Sequence, residues 1–183
     1  MGDERFVCPT TNGGKDFPAG AYSPLTRTMY YPLQNTCSNV TALPDKPFTT
    51  SLYVIRNKNQ IAPGTDKIGT VQAISVETGK ITWKYEQRAG MMSLVATGGG
   101  LLFGGDTNGR FMAFDQETGK VLWEVNLGSP VTGYPITYSA NGKQYVAVST
   151  GNSLVSSGLN TLAPELHPSN SNQIFVFALP EQN

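Results

Sequence analysis

The sequence has very little of the side-chain chemistry that most enzymes carry. It contains one histidine, His167, and two cysteines among 183 residues. A single histidine gives no support for a histidine-based metal cluster or a Ser-His-Asp triad. Two cysteines cannot form a zinc site by themselves. His167 lies in a proline-flanked polar stretch, where we interpret it as an unengaged surface residue.

Charge and long apolar runs are also scarce. Charged residues make up 14% of the chain and the formal net charge is zero. This balance argues against nucleic acid or an anionic membrane surface as the main partner. No apolar run approaches the roughly 18 residues expected of a membrane span, and the first five residues, Met-Gly-Asp-Glu-Arg, show no signal-peptide apolar region.

The sequence does contain an internal repeat with two copies. Gly69–Lys84 and Gly109–Glu124 share Gly, Ala, Glu-Thr-Gly-Lys and Trp at a constant offset of 40 residues. A period of about 40 residues is typical of propeller blades, each a four-stranded antiparallel sheet. Together with 20 glycines and 12 prolines, the repeat predicts a turn-rich all-β fold.

Each copy has the pattern of a β-hairpin. Gly79 and Gly119 stand where a tight turn requires positive φ, which a Cβ would penalise. Ser75 and Asp115 precede these turns and are expected to accept hydrogen bonds from backbone N–H groups two or three residues later.

The two tryptophans of the chain occupy the same position in the repeat. Trp83 and Trp123 are the only ones present. A large ring repeated at one position is best explained by packing at the seam between neighbouring sheets, because it buries much apolar area there. We therefore predict that both rings lie between adjacent sheets and take no part in chemistry.

The doubled motif also resembles a known family. Ala-x-(Ser/Asp)-x-x-Thr-Gly-Lys-x-x-Trp is similar to the tryptophan-docking motif of the quinoprotein dehydrogenases. The resemblance implies an eight-bladed β-propeller with pyrroloquinoline quinone (PQQ) at its axis. At about 40 residues per blade this chain holds at most roughly four blades, so we expect a partial propeller: the C-terminal blades of a larger protein, or one chain of a split one. The absence of a signal peptide then gives no information about compartment.

Residues 1–50 are rich in turn-forming residues and contain both cysteines. Cys8 and Cys37 are either two free thiols or one disulfide, and we favour the disulfide, which would place the protein in an oxidising compartment. Between them, Gly-Gly-Lys-Asp-Phe-Pro resembles the Gly-Gly-Lys-Asn-Trp-Pro-like string of methanol and ethanol dehydrogenases. The resemblance implies that Asp16 and Phe17 stand at a quinone-contacting Asn and the aromatic residue that follows it.

Asp16 departs from the family pattern in a way that matters chemically. Asn offers a donor and an acceptor, whereas an ionised Asp only accepts. A quinone carboxylate would also repel it unless a cation intervened. Lys15 is the neighbouring candidate for that cation, with a solvent-facing lysine as the alternative.

The stretch between the repeats contains a third candidate contact. Met91 occupies the position of a tryptophan that lines the active-site chamber in methanol dehydrogenase-like members, and ordinary core packing is the alternative. The glycines of 98–100 lack the Lys-Ser/Thr of a phosphate loop. They are expected to form a turn between two buried strands.

The remaining organisation follows from local patterns. We expect a strand at residues 52–55, an exposed insertion loop at about 56–68, blade repeats at 69–108 and 109–150, and a closing strand at 172–180. Asn141-Gly142 predicts a hairpin turn, and residues 150–172 are expected to be a polar connection.

The resemblance implies part of a periplasmic PQQ-dependent dehydrogenase that oxidises primary alcohols and passes electrons to a cytochrome c. Family members use Ca²⁺ or a lanthanide, with ligands and a catalytic Asp from N-terminal blades; none can be matched here. We therefore expect no catalytic or metal-binding residue in this chain and no activity from it alone. The alternatives are a cofactor-free propeller acting as an envelope-protein assembly scaffold or binding platform, and an inert gene fragment.

Overall fold

The protein is almost entirely built from antiparallel β-sheets. A computed structural model describes residues 2–43 and 55–179. The elements in chain order are β1 Arg5–Val7, β2 Ala21–Ser23, β3 Thr28–Gln34, β4 Thr36–Ala42, β5 Ile55–Ile61, β6 Gly69–Ser75, β7 Ile81–Gln87, β8 Met91–Ala96, β9 Leu101–Asp106, β10 Arg110–Asp115, β11 Val121–Asn126, β12 Ile136–Ala140, β13 Lys143–Ser149, α1 Leu154–Asn160 and β14 Ile174–Ala178.

Three of the sheets form a series. Sheet I has the strand order β2-β3-β6-β7, sheet II is β8-β9-β10-β11, and sheet III is β12-β13-β14. Strand β8 of sheet II contacts β2 and β3 of sheet I. A fourth sheet, β1-β4-β5, is formed largely by the excursion of the chain between β3 and β6; we call it the insert sheet. Antiparallel sheets packed in series are typical of propeller blades, which have four strands when complete; sheets I and II have four and sheet III has three among the described residues.

The two copies of the repeat form equivalent hairpins, as the sequence predicts. Strands β6 and β7 pair with a bulge between Ala73 and Ile74, and strands β10 and β11 pair with a bulge at the matching step, Ala113 to Phe114. A bulge at the same repeat position gives both hairpins the same local bend.

The turns of both hairpins are closed as expected. Gly79 and Gly119 have φ of 67° and 72°. The Ser75 hydroxyl accepts from the backbone N–H groups of residues 77 and 78 at 3.3 and 3.4 Å. The Asp115 carboxylate accepts from the matching residues, 117 and 118, at 3.0 and 2.8 Å. These bonds lower the pKa of Asp115, with the Thr118 hydroxyl contributing most.

The sheets do not follow the expected repeat boundaries. Residues 69–108 contain the last two strands of sheet I and the first two of sheet II. The sequence repeat begins in the middle of a sheet because its recognisable residues lie in the third and fourth strands. The insert sheet further separates the two halves of sheet I along the chain.

Two other expectations need correction. The insertion loop at 56–68 is wrong over its first half, because β5 extends to Ile61 and pairs with β4. The polar, exposed residues of β5 lack the alternation that marks a half-buried strand. The expected strand at 52–55 lies outside the described residues except for Ile55.

The polar connection at 150–172 contains helix α1, whose N-terminus is closed by a capping box of Ser153 and Ser156.

The hydrophobic core lies between the sheets. One cluster joins sheet I to sheet II, and a second joins sheet II to sheet III around the buried Phe111. A third, smaller cluster packs Leu159 of α1 on Ile68. The remaining predicted strands are present, including the Asn141-Gly142 hairpin, whose two turn residues have φ of 51° and 76°.

Trp83 connects sheet I to the turn of the next sheet. Its indole N–H donates to the backbone carbonyl of Gln116 at 2.9 Å. The ring covers Gly119, where a Cβ would lie 2.5 Å from the ring carbon Cε3. Trp83 is half-buried, so it packs at a seam as predicted, in contact with solvent along one side.

Trp123 packs one sheet further on, against an aromatic side chain rather than a turn glycine. Its ring packs edge-to-face on Phe177 of sheet III, with 5.3 Å between ring centres. It keeps 40% of its surface exposed. Both tryptophans therefore lie between adjacent sheets, and neither is a fully buried core residue.

The two turn glycines allow the contribution of the Trp83 contact to be measured. We expect Gly119→Ala to destabilise the protein about 1–3 kcal/mol more than Gly79→Ala, because both alanines must adopt positive φ but only the first meets a ring. The Cβ of the control, Gly79→Ala, would have no neighbour within 4 Å. Urea unfolding of both variants measures the difference, and equal losses would show that the ring does not pack on this turn.

Candidate functional site

The loop before β2 carries two of the three predicted cofactor contacts. Asp16 and Phe17 are adjacent, and Phe17 keeps 51% of its surface exposed. The loop is fixed at its C-terminal end, where the backbone N–H of Ala19 donates to the hydroxyl of the buried Ser93 at 3.0 Å. The carbonyl of Ala19 accepts from the N–H of Leu94 at 2.9 Å. Phe17 is thus an exposed ring on a backbone tied to sheet II.

Local bonds also hold the two predicted polar groups in the loop. One carboxylate oxygen of Asp16 accepts from the N–H of Phe17 at 2.9 Å. The ammonium group of Lys15 donates to the backbone carbonyls of Asp16 and Pro18, both at 3.1 Å. Lys15 is exposed, as one of the two sequence-based alternatives predicts.

A disulfide frames the same loop. Cys8 and Cys37 are bonded, with their Cα atoms 4.4 Å apart, which confirms the favoured pairing. The loop is further tied to the strands behind it by the N–H of Gln34, which donates to the carbonyl of Gly14 at 2.7 Å.

Met91 lies apart from the other two candidates. It has no exposed surface and belongs to the core between sheets I and II. Its sulfur accepts from the side-chain amide of Gln87 at 2.8 Å. This position fits the core-packing alternative, and contact with a cofactor stays a prediction that would require the strand to move.

A small hollow opens beside Asp16, between the disulfide-framed loop and α1. Its polar side includes Asp16 and Gln34, and its apolar side includes Leu159. The Gln34 amide donates to the carbonyl of Met91 at 2.6 Å, while its buried oxygen has no partner among the described residues. The sequence gives no signal for this hollow, because α1 and the loop meet only through the fold.

The segment that carries α1 is tied down by an arginine. Arg88 pairs with Glu165 through Nε at 2.5 Å and through Nη2 at 3.3 Å. The same guanidinium donates to the carbonyl of Leu162 at 2.9 Å. Hydrogen bonding to Arg88 lowers the pKa of Glu165. His167, two residues further, is exposed.

Sequence reasoning missed one residue near Phe17. Tyr134, in the loop between β11 and β12, donates its hydroxyl to the carbonyl of Phe17 at 3.4 Å and is 53% exposed. Tyr134 lies in a Gly-Tyr-Pro-Ile-Thr-Tyr string that predicts a hairpin, but no local pattern places it beside a loop 117 positions away.

Comparison with known proteins agrees with this architecture. Residues 65–146 match the family model described as "PQQ: Glucose/ethanol/alcohol dehydrogenase, beta-propeller domain". A solved structure titled europium-containing methanol dehydrogenase superposes on 98% of this chain with a TM-score of 0.87 and 30% identity. The chain belongs to the PQQ β-propeller family.

Named members of this family extend well beyond the matched region. The chain is 36% identical over 154 residues to the lanthanide-dependent methanol dehydrogenase of Methylacidiphilum fumariolicum (strain SolV). The aligned region covers 81% of this chain and 25% of that protein. It is 32% identical over 163 residues to the dehydrogenase subunit of the quinone-dependent alcohol dehydrogenase of Gluconacetobacter polyoxogenes, with 82% and 22% covered. The chain therefore spans about a quarter of these relatives' length, and 36% of the europium-containing structure.

The loop of Asp16 and Phe17 has side chains whose chemistry is compatible with a planar, anionic cofactor such as PQQ. The ring of Phe17 is exposed on an anchored loop, and the exposed Lys15 lies two residues earlier, with its ammonium group bonded to the carbonyls of Asp16 and Pro18. For a metal ion the described ranges offer no group of three or more His, Cys, Asp or Glu side chains, so no metal chemistry is assigned to them. Within those ranges no helix has the length and apolarity to cross a membrane.

A fully buried carboxylate, Asp106, lies at the seam between sheets I and II. Asp106 is fully buried and accepts from the backbone N–H groups of Asn108 and Arg110 at 2.8 and 2.9 Å. Arg110 Nε donates to its second oxygen at 2.8 Å and Nη2 donates to Gln87 of sheet I. Burial raises the pKa of Asp106, and the Arg110 charge opposes that rise. We assign this cluster a structural role.

Removing the arginine should make this cluster pH-sensitive. In Arg110→Gln, Asp106 would be a buried charge without its ionic partner, and we expect a loss of about 3 kcal/mol at neutral pH. The folded state would then hold a proton that the unfolded state releases near pH 4, so the loss should shrink as pH falls from 8 to 5.

Two matched variants test that explanation. Adding Asp106→Asn to Arg110→Gln should abolish the pH dependence, and Glu124→Gln should cost less than about 1 kcal/mol because that partner is 42% exposed. Urea unfolding at several pH values provides the measurement. A pH-independent loss in Arg110→Gln would contradict an ionised Asp106.

Proposed function

We propose that this chain forms one side of the PQQ site of a dehydrogenase that oxidises primary alcohols. The observation that carries the proposal is the anchored Asp16–Phe17 loop in a fold that matches a methanol dehydrogenase over 98% of the chain. When bound, PQQ supplies the acceptor for the alcohol's hydride, assisted by a metal ion as Lewis acid.

In this proposal the chain's own residues bind and orient the cofactor. The exposed ring of Phe17 offers a flat apolar surface, which suits a planar conjugated molecule. Lys15 offers a positive charge to a cofactor carboxylate while its bonds to the carbonyls of Asp16 and Pro18 hold it near the loop. Met91 is buried and packs in the core between sheets I and II, the two sheets to which this loop is attached.

Asp16 makes the site less favourable for an anion than an asparagine would. One of its oxygens is already engaged by the N–H of Phe17, so the loop uses Asp16 partly as a local cap. The remaining negative charge opposes a carboxylated cofactor. Asp16 therefore tunes affinity, and Lys15 offsets part of the repulsion.

The rest of the functional assignment extends from the family and the disulfide. Cys8–Cys37 supports an oxidising compartment, which we propose is the periplasm. We propose a cytochrome c as electron acceptor, and blades other than those of this chain as the source of the catalytic Asp and the ligands of Ca²⁺ or a lanthanide. The envelope-assembly scaffold is less well supported, because a scaffold has no need for the disulfide-framed loop.

We expect the 183-residue chain alone to show only background turnover in dye-linked alcohol oxidation with added PQQ and Ca²⁺ or a lanthanide. The full gene product that contains this sequence should be active. Loss of the metal and of the base each removes orders of magnitude in rate. Turnover by the isolated chain comparable to that of an intact enzyme would mean that its own residues suffice. An inactive full gene product would contradict the proposed function.

Asp16 provides a residue-level test. Asp16→Asn keeps an oxygen to accept from Phe17, removes the negative charge and adds a donor, so we expect PQQ to bind roughly 3–10-fold more tightly. Asp3→Asn is the control, since it makes the same change in net charge at an exposed residue that pairs with the exposed Arg5. Equilibrium dialysis of PQQ against the full gene product measures both. Equal affinities for Asp16→Asn and the unaltered protein would place Asp16 away from the cofactor.

A further inference from the structure

The loop between β11 and β12 presents an exposed aromatic ring on an anchored backbone. Before Tyr134, the N–H of Gly133 donates to the carbonyl of Ser149 at 3.1 Å, and Val131 is buried with its N–H bonded to the carbonyl of Asp106 at 2.9 Å. After it, Pro135 is buried. The loop is held on both sides of Tyr134, and yet that side chain remains 53% exposed.

Gly133 makes this anchoring tight. A Cβ at this position would collide with the hydroxyl and backbone of Ser149. The chain can therefore approach β13 only because residue 133 lacks a side chain. The hydroxyl of Thr132 adds a bond to the carbonyl of Gly151 at 2.9 Å. The backbone at Tyr134 is therefore held in place before any ligand binds, which is the arrangement of a preorganised contact residue.

Tyr134 also joins the two loops that stand before the first strands of sheets I and III. Its hydroxyl donates to the carbonyl of Phe17 at 3.4 Å. The Phe17 loop is tied in turn to sheet II through Ser93. Two half-exposed aromatic side chains from opposite ends of the sheet series thus lie on linked, rigid loops, although they are 117 positions apart in the chain.

We propose that Tyr134 is a second aromatic contact for the planar cofactor that Phe17 binds. This inference rests on the proposed function and adds a residue from sheet III to the site. The ring supplies apolar surface for a conjugated molecule, and its anchored backbone places it beside the Phe17 loop. An aromatic side chain has few rotatable bonds, so ordering it on binding costs little entropy.

The test is PQQ binding by the full gene product, measured by equilibrium dialysis without substrate. Tyr134→Ala should weaken binding about tenfold, in line with the loss of one stacking ring. Tyr134→Phe keeps the ring and should stay within about threefold of the unaltered protein, because it loses only a long, exposed hydrogen bond. Tyr138→Ala is the matched control, since Tyr138 is 41% exposed on the following strand and lies four residues away.

The outcomes separate this inference from the function on which it rests. If the unaltered protein does not bind PQQ, the proposed function fails and the role of Tyr134 fails with it. If it binds, and Tyr134→Ala binds equally well or Tyr138→Ala is weakened as much, the Tyr134 assignment is overturned. Thermal unfolding of each variant shows whether a substitution has weakened the fold. The proposal is supported if Tyr134→Ala binds PQQ about tenfold more weakly at unchanged thermal stability and Tyr134→Phe binds like the unaltered protein.

Discussion

The architecture depends on the contact between the outer strand of one sheet and the turn of the next. Trp83 covers Gly119 and donates to the carbonyl of Gln116. The same carbonyl accepts from the hydroxyl of Tyr30, which lies in the sheet that Trp83 belongs to. One peptide oxygen therefore receives two bonds from the neighbouring sheet, and this fixes the offset between the sheets as well as their distance.

The candidate site is a consequence of that fixed offset. The loop that carries Phe17 precedes sheet I, and it is hydrogen-bonded to Ser93 of sheet II through Ala19. It is also bonded to Tyr134, which precedes sheet III. If the sheets could slide, these bonds would not persist together. In the proposed site the seams would act without touching the ligand, because they set where each loop leaves its sheet.

The sequence predicts those features whose cause is local or repeated. The turns at Gly79 and Gly119, the Asn141-Gly142 hairpin and the seam position of Trp83 each follow from short-range chemistry. Strand β5 was not predicted, because its residues are mostly polar and exposed and it forms a strand through pairing with β4.

The site is less predictable than the fold for the same reason. Asp16 and Phe17 were identified from a motif, whereas Tyr134 joins them through contacts between residues far apart in the chain. Helix α1 depends on a Ser153–Ser156 capping box and on packing of Leu159, neither of which gives the long apolar periodicity by which helices are recognised.

The two turn glycines give the series of sheets a direction. At Gly119 the turn receives a ring from the preceding sheet, whereas at Gly79 the same turn has no described atom within 4 Å of where a Cβ would stand. At this joint the first repeat supplies the ring, Trp83, and the second supplies the glycine turn that receives it. Gene duplication can lengthen such a protein by whole repeats, because every new copy carries both halves of the joint. Selection on Gly119 would act through Trp83, which lies 36 residues earlier in the chain.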